Sequence, residues 1–199
     1  MCVMTIKRDE NMAQVRTKSR IVVLGNFEGR PWEKSEKYAP VLQYSLLRLL
    51  TSMVKESCRV LKLKQGDCKN VFCNARLLAD ETTIIRPPLG DPDAKKDVFS
   101  LLKKTLYGLG RSPRHWHNLV NSILMELGIK PSLHDSCLYQ GVPSSSDNRD
   151  PTCVSQFPAD RAVPTDKPLH LGLYVDDFVY FSEDPHQKNH FRPYRYSKP

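Results

Sequence analysis

The sequence predicts an α+β chain in which antiparallel strand pairs pack on helices, and three observations predict it. Two β-rich runs, VMTIKR and SRIVVLG, flank the polar, turn-prone DENMAQ near the start of the chain. Two stretches, 46–54 and 113–127, carry apolar residues at helical spacing. Near the end, HLGLYV and FVYFS enclose the acidic pair Asp176-Asp177 as two short strands would.

Taken in order, residues 3–24 read as a hairpin decorated by Lys7, Arg8, Arg16, Lys18 and Arg20, and 25–39 as a polar loop rich in Gly and charge. Leu46, Leu49, Leu50, Met53 and Val54 then fall on one face of a 3.6-residue period, with Ser45 as the expected N-cap and the stripe as core. RVLKLKQGD alternates, which places Leu61, Leu63, Gln65 and Asp67 on one strand face. An irregular region over 76–97 leads to the strand-like VFSLLK. A second helix follows, capped by Ser112, with Pro113 in its first turn, Gly128 at its end, and Trp116, Leu119, Val120, Ile123, Leu124 and Leu127 along its apolar face. His115 and His117 lack the i, i+4 spacing of a helical metal pair and read as surface residues. The proline-rich stretch 141–168 reads as a flexible insertion, and 184–199 as a disordered tail.

Composition sets the outer bounds. The 199 residues suit one domain with a sizeable core. No run of apolar residues is long enough for a membrane helix and the N-terminus has no apolar signal core, so an intracellular protein without a membrane partner is expected. A formal charge of +8 leans toward a polyanion such as nucleic acid, or is simply a solvated basic surface. The six cysteines, at 2, 58, 68, 73, 137 and 153, form no CxxC pair and no zinc-spaced cluster, so free thiols are expected.

The acidic pair is the chemical anomaly. Ionised carboxylates inside an apolar run need compensation by water at a turn, by a basic partner or by a metal. A plain turn is the bland reading, because Asp favours turns. Against it, neither Gly nor Asn accompanies the pair, and two adjacent like charges repel. A hard divalent cation accepts several carboxylate oxygens. A third acid from a neighbouring strand would complete a two-metal phosphoryl-transfer site, with ions about 3.5–4 Å apart. Asp67 is the best candidate for that third acid.

With these residues in place, the chain resembles the reverse transcriptases of copia-type LTR retrotransposons from about residue 3 to about residue 190. The motifs RTKSRIVVLGN, YAPVLQYSLLRLL, QGDCKNVFCNA, LLKKTLYGLGRSPRHWHNLV, PSLHDSCLY and LGLYVDDFVYFS occur in that family's order. The resemblance implies a right-hand polymerase: a single partial domain with a fingers hairpin and loop over 3–39, fingers and palm over 40–140, and the palm catalytic hairpin over 169–183. It offers no counterpart of the primer-grip hairpin, the thumb or the RNase H domain.

It also implies roles. Asp67 and Asp176 would bind two Mg²⁺ ions, with Mn²⁺ as a substitute, and Asp177 would support them. Phe72 matches the aromatic position beneath the sugar, where a ring clashes with a 2′-hydroxyl and favours deoxynucleotides. Backbone amides near Asn70 and Val71 would hold the triphosphate. Arg20 is the first choice for the fingers cation and Lys18 the second, since Arg suits bidentate phosphate contact; both also read as ordinary hairpin charges. Tyr107 and Gly108 match the segment packing against the nascent base pair and template, and Arg111 and Arg114 would meet template phosphates. Partners would be an RNA or DNA template with primer and deoxynucleoside triphosphates, in a cytoplasmic virus-like particle or the nucleus. Gly66 departs from the family, standing before the acid where a bulky apolar residue is usual, which would loosen the strand end. The functional expectation is an RNA-directed DNA polymerase fragment. The alternative is an inactive remnant that at most binds nucleic acid. A two-metal nuclease would use similar acids but leaves Phe72 and YGLGRSP unexplained.

Overall fold

A computed structural model describes residues 1–29, 31–56, 63–96, 98–143 and 168–182. The core of the expected insertion (144–167), the expected tail and Leu61 lie outside the described residues. In chain order the elements are β1 (Cys2–Arg8), β2 (Gln14–Ile21), α1 (Lys34–Lys37), α2 (Tyr44–Glu56), β3 (Lys64–Asp67), β4 (Ile84–Ile85), β5 (Ser100–Leu101), α3 (Ser112–Glu126), β6 (Lys130–Pro131), β7 (Leu138–Gly141), β8 (Leu169–Tyr174) and β9 (Asp177–Ser182). Three short 3₁₀ turns, at Gly25–Phe27, Val71–Cys73 and Pro92–Lys95, stand between them. Among the described residues, all the strand pairs are antiparallel. Among the described residues, no helix is long and apolar enough to cross a membrane.

The chain divides into two compact units, the first made of 1–38 and 70–116 and the second of 39–69 and 117–199. In the first unit, β1 and β2 form the expected hairpin, with Cys2 opposite Ile21 and Lys7 opposite Arg16. Strand alternation puts Lys7, Arg16, Lys18 and Arg20 on one face and Met4, Ile6, Val15 and Ile21 on the other. Val71, Ala75, Leu109 and Trp116 are buried in this unit. The loop before α3 is tied to the end of β2: Val22 forms a parallel bridge with Tyr107, and the Val23 N–H donates to the Tyr107 carbonyl at 2.8 Å.

Gly108 makes that approach possible. Its φ is +95°, and a Cβ there would lie 1.9 Å from the Val23 carbonyl oxygen. The left-handed conformation alone costs a residue with a side chain about 1–2 kcal/mol, and the clash adds to it. We therefore expect Gly108→Ala to destabilise this unit by more than that amount. Urea unfolding followed by Trp32 and Trp116 fluorescence measures it, and an unchanged midpoint would show the loop to be adaptable.

The second unit holds a five-stranded sheet in the order β3-β9-β8-β7-β6. Leu171, Leu173, Phe178, Tyr180, Phe181 and Tyr139 of this sheet are buried, as are Val120, Ile123, Leu124, Leu127 and Ile129. The α3 stripe is thus core. Its C-terminus closes as a Schellman motif: Ile129 N–H donates to Leu124 O at 2.9 Å, Gly128 N–H to Met125 O at 3.0 Å, and Gly128 has φ +81°.

Several local expectations are corrected. Ser45 lies inside the first turn of α2, where Leu46 and Leu47 N–H groups donate to the Gln43 carbonyl. Only Leu50 of the α2 stripe is buried, whereas Leu49 and Met53 are exposed. Ser112 is buried within α3, and its hydroxyl donates to Leu106 O at 2.7 Å.

The two histidines are also drawn inward. His115 Nε2 is 2.8 Å from a Glu81 carboxylate oxygen. His117 Nε2 is 3.8 Å from the buried Cys137 Sγ, and burial holds its pKa below the ordinary 6.5 despite a backbone hydrogen bond at Ser136. Unfolded His117 therefore takes up a proton near pH 6.5 that the folded ring resists. Stability is full above that pH and falls as pH drops through and below it. His117→Gln should flatten the loss between pH 7 and 5 in urea titrations, and an identical pH profile would remove His117 as its source.

Candidate active site

The acids meet at one end of the five-stranded sheet. Lys64–Asp67 pairs with β9 so that Asp67 stands opposite Asp177 and Gly66 opposite Phe178. Asp177 is also the register partner of Tyr174 on β8, leaving Val175 and Asp176 as a two-residue loop. Alternation sets Gln65, Asp67 and Asp177 on one face and turns Phe178 and Tyr180 into the core. Asp67, Asp176 and Asp177 are all exposed.

Two backbone features hold the loop. The Cys68 N–H, one residue past Asp67, donates to the Asp176 carbonyl at 2.8 Å. Val175 has φ +55°, the left-handed region that a tight hairpin loop requires and that Gly or Asn usually fills. A β-branched residue there is strained by about 1–2 kcal/mol. The sheet end thus holds the acids in place at the expense of local strain.

Gly66 does not loosen the strand. A Cβ at Gly66 would meet the Phe178 ring at 2.1 Å, and that ring is only 3% exposed. The paired aromatic fills the space a bulky residue would occupy, as rings opposite strand glycines do.

Electrostatics mark the cluster as overcharged. Burial, then Asp176, then Asp67 raise the pKa of Asp177, while a hydrogen bond from Gln65 opposes the rise. Like charges directly opposite across a strand pair are destabilising. Cys68 lies beneath the acids at 3% exposure, and burial followed by the three carboxylates pushes its thiol up to about 12, so it stays protonated. Among the described residues no three of His, Cys, Asp and Glu form a ready-made metal cage. Mg²⁺ in general is held through one or two protein carboxylates plus substrate phosphates and water.

The remaining candidates sit in the first unit. Phe72 lies in the Val71–Cys73 turn, half-buried, its ring edge-on to Tyr107 at 5.0 Å between centroids. Asn70 caps this turn with φ +52° and is exposed, whereas Val71 is buried. Three residues of 3₁₀ helix carry little macrodipole, so any anion held there depends on individual N–H groups. The Arg20 guanidinium lies 5.6 Å from the Tyr107 ring centroid, and Lys18 is half-buried.

Arg111 departs from the sequence reading. It is 2% exposed, with its guanidinium 4.1 Å from the Trp32 ring centroid, 3.6 Å from Glu81 and bonded to the Thr83 hydroxyl. Its charge faces an interior acid and is not presented to a phosphate. Arg114 is exposed and donates to the Ser35 carbonyl. Among the described residues the four cysteines 2, 68, 73 and 137 are free, as expected; Cys58 and Cys153 lie outside them.

Sequence reading missed Cys68, Val175 and the Arg111–Glu81 pair. A faint signal existed for one of them: RSP places Arg111 directly before an apolar helix, where burial would require an acid, though not which one.

Comparison with known proteins bears on the larger, N-terminal part of the chain. The family described as reverse transcriptase (RNA-dependent DNA polymerase) matches residues 1–149, and the chain belongs to it. The hairpin bearing Asp176 and Asp177 lies beyond the matched stretch. Similar relatives are the retrovirus-related Pol polyproteins from transposon TNT 1-94 of Nicotiana tabacum and from transposons RE2 and RE1 of Arabidopsis thaliana. The first is 28% identical over 138 residues, 69% of this chain and 10% of the relative. RE2 is 27% identical over 124 residues, 62% of this chain and 8% of the relative. RE1 is 25% identical over 137 residues, 69% of this chain and 9% of the relative. The matched stretch is thus about a tenth or less of each polyprotein's length. No solved structure matches the chain. The resemblance read from the ordered motifs therefore stands, and the chain is a member of the reverse transcriptase family.

Proposed function

We propose that the chain is the acid-bearing part of a retrotransposon reverse transcriptase that extends a primer on an RNA or DNA template, with the five-stranded sheet as palm and the β1–β2 hairpin as fingers. One observation carries the reading: in a chain of this family, three carboxylates from two paired strands and their loop converge at one sheet end. Their mutual repulsion is a cost that a hard cation would offset. Asp67, Asp176 and Asp177 would hold two Mg²⁺ ions, or Mn²⁺ in their place. When bound, such ions neutralise charge on the attacking and leaving oxygens of an in-line displacement.

The chain's own residues position and select. Asp67 and Asp177, fixed by strand register, set where anionic oxygen is presented. Phe72 lies under the sugar and excludes a 2′-hydroxyl sterically. Arg20, with Lys18 as second choice, takes the triphosphate of the deoxynucleotide. Tyr107 and Gly108 lie on the template side, and Arg111 supports that segment from inside. Positioning of this kind supplies most of the rate in phosphoryl transfer. The setting would be a cytoplasmic particle or the nucleus.

Extension of oligo(dT) on poly(rA) tests the reading. Incorporation of dTMP with Mg²⁺ or Mn²⁺, abolished by chelator, is the expected result. Salt-dependent binding of the duplex without extension, unaltered by changes at Asp67 or Asp176, would assign the chain instead to inactive nucleic-acid binding.

A further inference from the structure

Three residues from separate stretches of the first unit meet around one ring. Phe72 comes from the turn after β3, Arg20 from β2, and Tyr107 from the loop before α3. The Phe72 and Tyr107 rings are edge-to-face, 5.0 Å apart at 68° between planes. The Arg20 guanidinium carbon is 5.6 Å from the Tyr107 centroid, within range of the ring's quadrupole. Tyr107 has little freedom of its own. Its carbonyl accepts from Val23 at 2.8 Å, its neighbour Val22 is bridged to it, and Gly108 behind it fits against Val23 only because it lacks a Cβ. Phe72 is held separately, its carbonyl accepting from the buried Thr105 hydroxyl. A ring carried on a fixed backbone therefore lies beside two groups with different assignments, one for the sugar and one for the triphosphate.

We propose that Tyr107 is a positioning residue that couples these two assignments: its ring orients the Phe72 ring beneath the sugar and holds the Arg20 guanidinium toward the phosphates. It acts through its neighbours, which differs from packing against template. The inference rests on the polymerase reading above. An exposed arginine otherwise samples many rotamers, and an aromatic face narrows them. An edge-to-face pair likewise fixes the inclination of the Phe72 ring.

The test compares Tyr107→Leu, which keeps apolar bulk but removes the π face, with Tyr107→Phe, which keeps the ring. Extension of poly(rA)·oligo(dT) is measured with dTTP and with UTP. Tyr107→Leu should raise the KM for dTTP about two- to five-fold, the size of an exposed cation–π contact. It should also erode the preference for dTTP over UTP by about two- to ten-fold, the size of an aromatic pair. Tyr107→Phe should restore both. In an Arg20→Ala background, Tyr107→Leu should raise the dTTP KM no further.

A merely structural role would instead lower kcat alike for both nucleotides and leave their ratio intact. That result, or additivity with Arg20→Ala, or a Tyr107→Phe as impaired as Tyr107→Leu, overturns the inference while leaving the polymerase reading in place. A wild-type chain that incorporates no dTMP overturns both.

Discussion

Asp176→Asn is expected to lower primer extension by about a thousand-fold or more while raising, or leaving unchanged, the melting temperature in chelator. The two effects have opposite signs for one reason. Asp176 is part of a cluster whose charges repel, and it helps raise the pKa of Asp177. Removing its charge relieves the folded state. On the proposed polymerase reading the same change removes an anionic oxygen that would hold a metal ion worth several kcal/mol of charge stabilisation, and each 1.4 kcal/mol is about ten-fold in rate. Asp67→Asn should behave alike, because Asp67 faces Asp177 across the strand pair. Extension assays and thermal melts on the same preparations check both arms. Activity within about ten-fold of wild type would show that these acids carry no chemistry.

Glu81→Ala is expected to cost the first unit about 3–5 kcal/mol, the penalty for leaving a buried charge without its partner. Arg111 is 2% exposed, and Glu81 is the carboxylate facing both its guanidinium and His115. The Trp32 face and the Thr83 hydroxyl stay in place, but neither supplies a counter-charge. The double change Glu81→Ala with Arg111→Met should recover much of the loss, since no unpaired ion then remains inside. Urea unfolding read by Trp32 and Trp116, both in this unit, resolves it. A loss below about 1 kcal/mol would mean that water reaches the guanidinium.

What was legible in the sequence was what local chemistry dictates. The α3 stripe and its Gly128 stop, the first hairpin, and the hairpin around Asp176-Asp177 each follow from period, cap or charge within a dozen residues, although the loop itself is Val175-Asp176 and Asp177 opens β9. Asp67 was found because alternation placed it at the end of a strand face. What escaped depended on partners distant in the chain. Gly66 read as a weakness because Phe178, over a hundred positions away, is the residue that fills it. Arg111 read as a surface cation because nothing near it in sequence announced Glu81 or Trp32. His117 read as exposed because Cys137 lies twenty residues on. Ser45 and Ser112 failed as caps for a nearer reason: α2 begins at Tyr44, one residue before Ser45, and α3 begins at Ser112 itself, so neither serine precedes its helix.

The strained Val175 loop has a consequence for how this hairpin would respond to selection. Its positive φ is a demand on the backbone, so a library randomised at position 175 and sorted for stability alone should drift toward Gly and Asn. Sorting for nucleotide incorporation sets a different criterion, since a looser loop lets the adjacent carboxylate wander. A valine retained under the second regime and lost under the first would reveal position 175 as the point where durability and activity pull the same chain apart.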